Sequence, residues 1–203
     1  HHHHLAQTKE REPDVVLIGD SLIHHLQLRP IWNELFEPLH CLNFGISGDC
    51  TQHVLWRIQN GELDNIEPKV VVLLVGTNNY GSSPEEIADG IREIVIAIRQ
   101  HLPNAYIVVI ELLPRGQYPN PLRDRNKSVN NLLKHKLAGL EKVETVSAEK
   151  GLIQADGTIS HHDMPDFLHL SDIGYRKAFE PLYDLLTQLL YEHEKEKDLT
   201  PSE

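Results

Sequence analysis

A chain of 203 residues with 40% hydrophobic and 24% charged residues has the balance of one ordinary globular domain, which excludes disordered and fibrous classes. Its 30 acidic and 19 basic residues leave a formal charge of -11, and no Lys/Arg cluster interrupts it. A general electrostatic grip on nucleic acid or on an anionic membrane is excluded on that ground.

His1 to His4 read as the remnant of a purification tag, and residues 1–11 as a lead-in. No apolar h-region opens the chain, and no run approaches the roughly 20 apolar residues that a bilayer span needs, so no stable membrane insertion is expected. Cys41 and Cys50 are too few for a disulfide scaffold and form no CxxC pattern, which fits a reducing, cytoplasmic setting.

The domain proper is expected over residues 12–191. Its apolar runs are Val15–Ile18, Leu42–Phe44, Val70–Val75 and Tyr106–Ile110, with a weaker run at Val143–Val146. Continuous rather than alternating hydrophobicity suits strands buried on both faces of a parallel sheet. Helical patterns lie between them. Ser83-Pro84-Glu85-Glu86 has the makings of a capping box, and Ile87, Ile91, Ile94, Val95 and Ile98 follow at helical spacing. Thr51–Gln59, Pro121–Leu140 with Asn120 as cap, and Asp172–Tyr191 are the other expected helices. Alternating strands and helices predict an α/β fold, a three-layer α/β/α sandwich on a parallel sheet of about five strands in flavodoxin-like order. The charged stretch from Glu192 to Glu203 is expected to be a frayed helix end and then a flexible tail.

Ligands of such sheets bind beyond the carboxyl ends of the strands, where Ser21, Gly48 and Asn78 fall. Ser21 has a plain reading as a helix N-cap. It has a second as a nucleophile at a strand-to-helix junction, where unpaired N–H groups would stabilise an oxyanion. A serine needs a base oriented by a third group, and Asp166 with His169, three residues apart, supply one before the last helix. The same stretch reads as surface decoration, or, with His161, His162 and Asp163, as a metal-ligand cluster. Gly48 N–H and the Asn78 amide are candidate oxyanion donors as well as ordinary turn residues. Ser47 is a rival nucleophile whose glycine neighbours suit a donor loop better. No GxGxxG, GxxxxGK[ST] or GxSxG occurs, which argues against nucleotide binding and against a standard nucleophile elbow.

Taken together, Gly19-Asp20-Ser21, Gly48, Gly76-Thr77-Asn78-Asn79 and Asp166-x-x-His169 resemble the SGNH (GDSL-like) hydrolases. Within them, the stretches NFGISGDCTQHVLWRIQNGEL, LLPRGQYPNPLR and GTISHHDMPDFLHLS resemble the intracellular platelet-activating factor acetylhydrolases, from about Glu12 to about Leu190. The resemblance implies Ser21 as nucleophile, His169 as general base and Asp166 as its orienting carboxylate. It implies the Ser21 and Gly48 N–H groups and the Asn78 amide as oxyanion donors. It also implies hydrolysis of the short sn-2 acetyl ester of platelet-activating factor, or a similar short-acyl ester, with no metal or cofactor. Leu22, Thr77 and Leu168 flank these positions and are expected to close an acyl pocket. Implied partners are a second copy or a related alpha subunit, in a homodimer or heterodimer, and the lissencephaly-associated WD40 protein. A scaffold subunit of low activity is the alternative. The chain departs from the family at Ser47, where glycine is usual, and at His24 and His25.

Overall fold

A computed structural model describes residues 1–10 and 12–200; position 11 of the expected lead-in and positions 201–203 of the expected tail lie outside the described residues. Strands β1 (Val15–Gly19), β2 (Cys41–Gly45), β3 (Val70–Leu74), β4 (Tyr106–Ile110) and β5 (Val143–Val146) form one parallel sheet of 5 strands in the order β2-β1-β3-β4-β5. This is the flavodoxin-like order expected from the alternation of elements. β1 to β4 are buried at every residue, which is why their sequences are unbroken apolar runs. β5 is an edge strand of half-buried and exposed residues, and its sequence signal is correspondingly weak.

Helix α4 (Pro84–His101) begins in the expected capping box, with Ser83 Oγ accepting from Glu86 N–H and Glu86 Oε1 from Ser83 N–H, both at 3.1 Å. It packs between α3 (Thr51–Gln59) and α5 (Pro121–Lys136) on one face of the sheet. Helices α2 (Ser21–Leu26) and α6 (Asp172–Leu199) take the other face, tied by a 2.6 Å hydrogen bond from Tyr175 Oη to Leu22 O. Because the chain steps from β1 to β2 in one direction and returns past β1 to β3, the loops after these strands diverge. In sheets of this order ligands bind at such a divergence, outside the carboxyl ends of the strands.

Several segments differ from expectation. Part of the expected lead-in forms helix α1 (His2–Glu10). His4 is buried, stacks on Phe44 at 4.6 Å and lies 3.2 Å from Glu62 Oε2, because the fully buried Glu62 has an oxygen left over from its pair with Arg57. A π-turn (Trp32–Phe36) and a 3-10 turn (Glu37–Leu39) lead into β2. The last helix continues through the stretch expected to fray, since its charges find tertiary partners. Glu194 pairs with Lys69 at 2.6 Å, and Glu196 accepts from Tyr106 Oη at 2.7 Å and Lys142 Nζ at 2.9 Å. Among the described residues no helix is long and apolar enough to cross a membrane.

Candidate active site

β1 ends at Gly19, and the next residue turns the chain into α2. Asp20, in extended conformation, is the N-cap: its Oδ1 accepts from Leu22 N–H at 3.0 Å. The capping role considered for Ser21 thus falls to its neighbour, and the Ser21 hydroxyl is free of it. Ser21 Oγ lies 3.0 Å from His169 Nε2. α2 sits so close on β2 that a Cβ on Gly45 would come within 2.2 Å of His24 N, so only glycine fits there. The Asp20 carboxyl has no exposed surface, and among the described residues its Oδ2 has no hydrogen-bond partner. Burial pushes this carboxyl up to about 7, against the downward pull of the Leu22 N–H and the nearby His169.

His169 stands in the loop before α6. Its Nδ1 lies 2.6 Å from Asp166 Oδ2, while Asp166 Oδ1 accepts from the N–H groups of Leu168 at 3.0 Å and His169 at 2.7 Å. The turn is completed by Phe167, whose φ of 57 is left-handed. Partial burial opposes ionisation of Asp166, but these hydrogen bonds and the adjacent imidazole outweigh it and hold the carboxyl below its ordinary range. The result is a continuous alcohol–imidazole–carboxylate relay that can take a proton from the hydroxyl.

The candidate donors converge from two further strands. Gly48, exposed after β2, has φ +85, which favours glycine. Asn78 follows β3, and its Nδ2 donates to Asp49 O at 3.2 Å, which brings the two loops together. Cys50 Sγ adds a 3.3 Å contact to Asn78 O, and Asn79 Oδ1 accepts from Thr51 N–H at 3.0 Å. The buried Arg57 lies beneath this junction: it bonds Gly19 O, Phe44 O, Asp49 Oδ2 and Glu62 Oε1 at 3.3, 3.0, 3.0 and 2.6 Å. One guanidinium therefore joins the ends of β1 and β2 to the Gly48 loop. The sequence assigned a role to neither Asp20 nor Arg57, although Asp20 stands in the Gly19-Asp20-Ser21 motif. Arg57 did leave a trace there, since it shares the apolar face of α3 with Val54 and Ile58.

Ser47 is exposed and lies outside the relay. His24 is exposed, whereas the half-buried His25 lies against the His169 ring with centroids 5.1 Å apart. Burial, then the neighbouring imidazoles of His169 and His24, hold His25 below its ordinary range. Leu22 and Thr77 are buried and Leu168 half-buried. The histidine-rich cluster does not assemble around a metal position: the buried Asp163 pairs with Lys177 at 2.9 Å, and the rings of His161 and His162 pack on each other at 4.1 Å. Among the described residues no group of three or more His, Cys, Asp or Glu is arranged to hold a metal ion.

A family model of the GDSL-like lipase/acylhydrolases matches residues 13–177, and the chain belongs to that family. Its class is that of hydrolases acting on esters. The chain is 54% identical over 203 residues to the platelet-activating factor acetylhydrolase IB subunit beta homolog of Drosophila melanogaster, covering 100% of this chain and 90% of that protein. It is 53% identical over 190 residues to the Homo sapiens platelet-activating factor acetylhydrolase IB subunit alpha1, covering 94% and 82%. The fold is shared with a GDSL-like lipase from Bacteroides thetaiotaomicron, at TM-score 0.75 and 14% identity over 95% of this chain and 97% of that one. It is shared also with a carbohydrate acetylesterase from Sinorhizobium meliloti, at TM-score 0.68 and 19% identity over 88% and 100%.

Proposed function

We propose that this chain is a serine esterase that removes the sn-2 acetyl group of platelet-activating factor, or of a similar short-acyl ester, through an acetyl-enzyme. The observation that carries the reading is the relay of Ser21 Oγ to His169 Nε2 at 3.0 Å and His169 Nδ1 to Asp166 Oδ2 at 2.6 Å. In the first step His169 takes the hydroxyl proton as Ser21 Oγ bonds to the carbonyl carbon, and Asp166 steadies the imidazolium. The oxyanion is met by the Ser21 and Gly48 N–H groups and by an Asn78 amide hydrogen. The intermediate then expels the alcohol, whose oxygen receives the proton from His169. Water repeats the sequence on the acetyl-enzyme: it gives a proton to His169, bonds to the carbonyl carbon and releases acetate, while the proton returns to Ser21 Oγ. No step draws on a metal or cofactor.

Leu22, Thr77 and Leu168 line the acyl side in this reading, and their bulk favours acetyl. Kinetics on acetyl, butyryl and octanoyl esters of one alcohol test both parts. Wild type is expected to prefer acetyl, and Ser21→Ala to lose essentially all turnover. Retained turnover in Ser21→Ala refutes the nucleophile, and indifference to chain length refutes the pocket.

The similar animal proteins are named as subunits, which supports association of this chain with a second copy or a related alpha-type chain; the WD40 protein is proposed as a further partner on the resemblance of the sequence alone. Sedimentation equilibrium, alone and with such a WD40 protein, checks this: a monomer that binds nothing across the micromolar range contradicts it.

A further inference from the structure

The loop that carries Asn78 is gripped by two arginines. Arg115, between β4 and α5, donates from Nη1 to Thr77 O and Thr77 Oγ1, both at 3.1 Å, and from Nη2 to Tyr80 Oη at 2.8 Å. Its guanidinium carbon lies 5.3 Å from the centroid of the exposed Tyr80 ring. Arg125, on α5, donates from Nη2 to the same Thr77 O at 2.9 Å and from Nη1 to Asn79 O at 3.2 Å. Its Nε and Nη2 also reach Asn126 Oδ1 at 3.2 and 2.9 Å. Two fixed cations thus meet on one carbonyl oxygen, on the residue preceding Asn78.

Every one of these acceptors is uncharged. Among the described residues neither guanidinium has a carboxylate at ion-pair distance, as is also true of the carbonyl-bound Arg92, Arg99 and Arg123, whereas Arg29 has one and Arg57 and Arg176 have two each. Burial, and then the charge of Arg115, hold Arg125 below its ordinary range, as expected of like charges in each other's field. Like charges that share one acceptor oxygen repel each other, and an anion beside them would relieve that repulsion. An arginine has five N–H donors. The three bonds made by Arg115 leave its Nε–H and one Nη2–H without an acceptor among the described residues. A half-buried guanidinium with free donors fits phosphate oxygens better than a point charge would.

We propose that Arg115 and Arg125 form a phosphate subsite beside the esterase centre, which takes the phosphate mono- or diester of a substrate whose acyl carbonyl reaches Ser21. The proposal rests on the esterase reading above. One loop then reads both ends of the substrate: Asn78 meets the oxyanion, and Thr77 carries the arginines that meet the phosphate.

The test compares kcat/KM for a monomeric 2-acetyl glycerophospholipid with kcat/KM for p-nitrophenyl acetate, which has no phosphate. In Arg115→Gln the ratio of the two is expected to fall roughly 10–100-fold, mainly through KM, as the loss of charge-assisted hydrogen bonds implies. Arg115→Lys, which keeps the charge but not the fork, should recover part of it. An unchanged ratio, whether both values fall together or neither falls, leaves Arg115 only a loop-holding part and overturns the subsite. A second arm titrates Ser21→Ala protein with a non-hydrolysable 2-O-methyl glycerophospholipid and with inorganic phosphate. Binding of the phospholipid that weakens when Arg115→Gln is added supports the subsite. Binding of inorganic phosphate alone marks a free-phosphate site and overturns the assignment to substrate. Wild type that hydrolyses neither ester refutes the esterase reading, while the binding arm still decides the fate of the arginine pair.

Discussion

Ser21 follows a strand buried along its whole length and sits beside a carboxyl with no exposed surface, whereas Asp166 and His169 belong to no strand or helix and stay partly exposed. The position of the serine is set by the sheet, by Asp20 capping α2 and by Arg57 linking the ends of β1 and β2. The imidazole is positioned locally, by three hydrogen bonds to one carboxylate around a left-handed Phe167. The two carboxyls respond in opposite senses: burial drives Asp20 up to about 7, while its donors hold Asp166 below its ordinary range. One half of the site is therefore placed by the sheet, and the other by a loop in which one carboxylate sets the imidazole.

That contrast is broken most severely at Asp166. Asp166→Asn removes the charge and the acceptor geometry that fix the His169 tautomer, and steady-state kinetics should show a loss of about 10⁴ in kcat. A loss below tenfold would mean that the loop holds His169 without its carboxylate. Next comes Asn78→Ala, which removes one oxyanion donor and is expected to cost about 10²–10³ in kcat with little change in thermal stability. Near-normal turnover takes Asn78 out of the oxyanion role.

The smallest effect separates the two carboxyls by pH. The folded-state value of Asp20 is raised from 3.8 to about 7, so its contribution to stability is full at low pH and is lost as pH rises through that window. Asp166, with its value depressed, contributes above its ordinary range and loses that contribution as pH falls. Urea unfolding of wild type and Asp20→Asn should therefore show the variant gaining relative stability from pH 5 to pH 8. Parallel pH profiles for the two proteins would contradict the burial argument for Asp20.

Much of this was legible in the sequence where a single local rule decides the structure. The unbroken apolar runs marked β1 to β4, and Ser83 with Glu86 marked the start of α4. Asp166 and His169 stood out as a candidate pair three residues apart, and the structure places them 2.6 Å from each other, although no periodicity places their loop. What stayed hidden depends on contacts far apart in the chain. Asp and Ser are both good caps, and only the backbone shows Asp20 taking the role. The charges of the last helix look like those of a solvated tail until Lys69, Tyr106 and Lys142 meet them. The arginine pair arises because the segment after β4 and the start of α5 both close on the loop after β3.

The most direct test of the central claim is covalent. Wild-type protein treated with a fluorophosphonate and digested for mass spectrometry should carry the phosphonyl group on Ser21. Labelling should be lost in Ser21→Ala and strongly slowed in His169→Ala. An adduct on Ser47 or on another hydroxyl, or equal labelling of wild type and Ser21→Ala, would contradict the account.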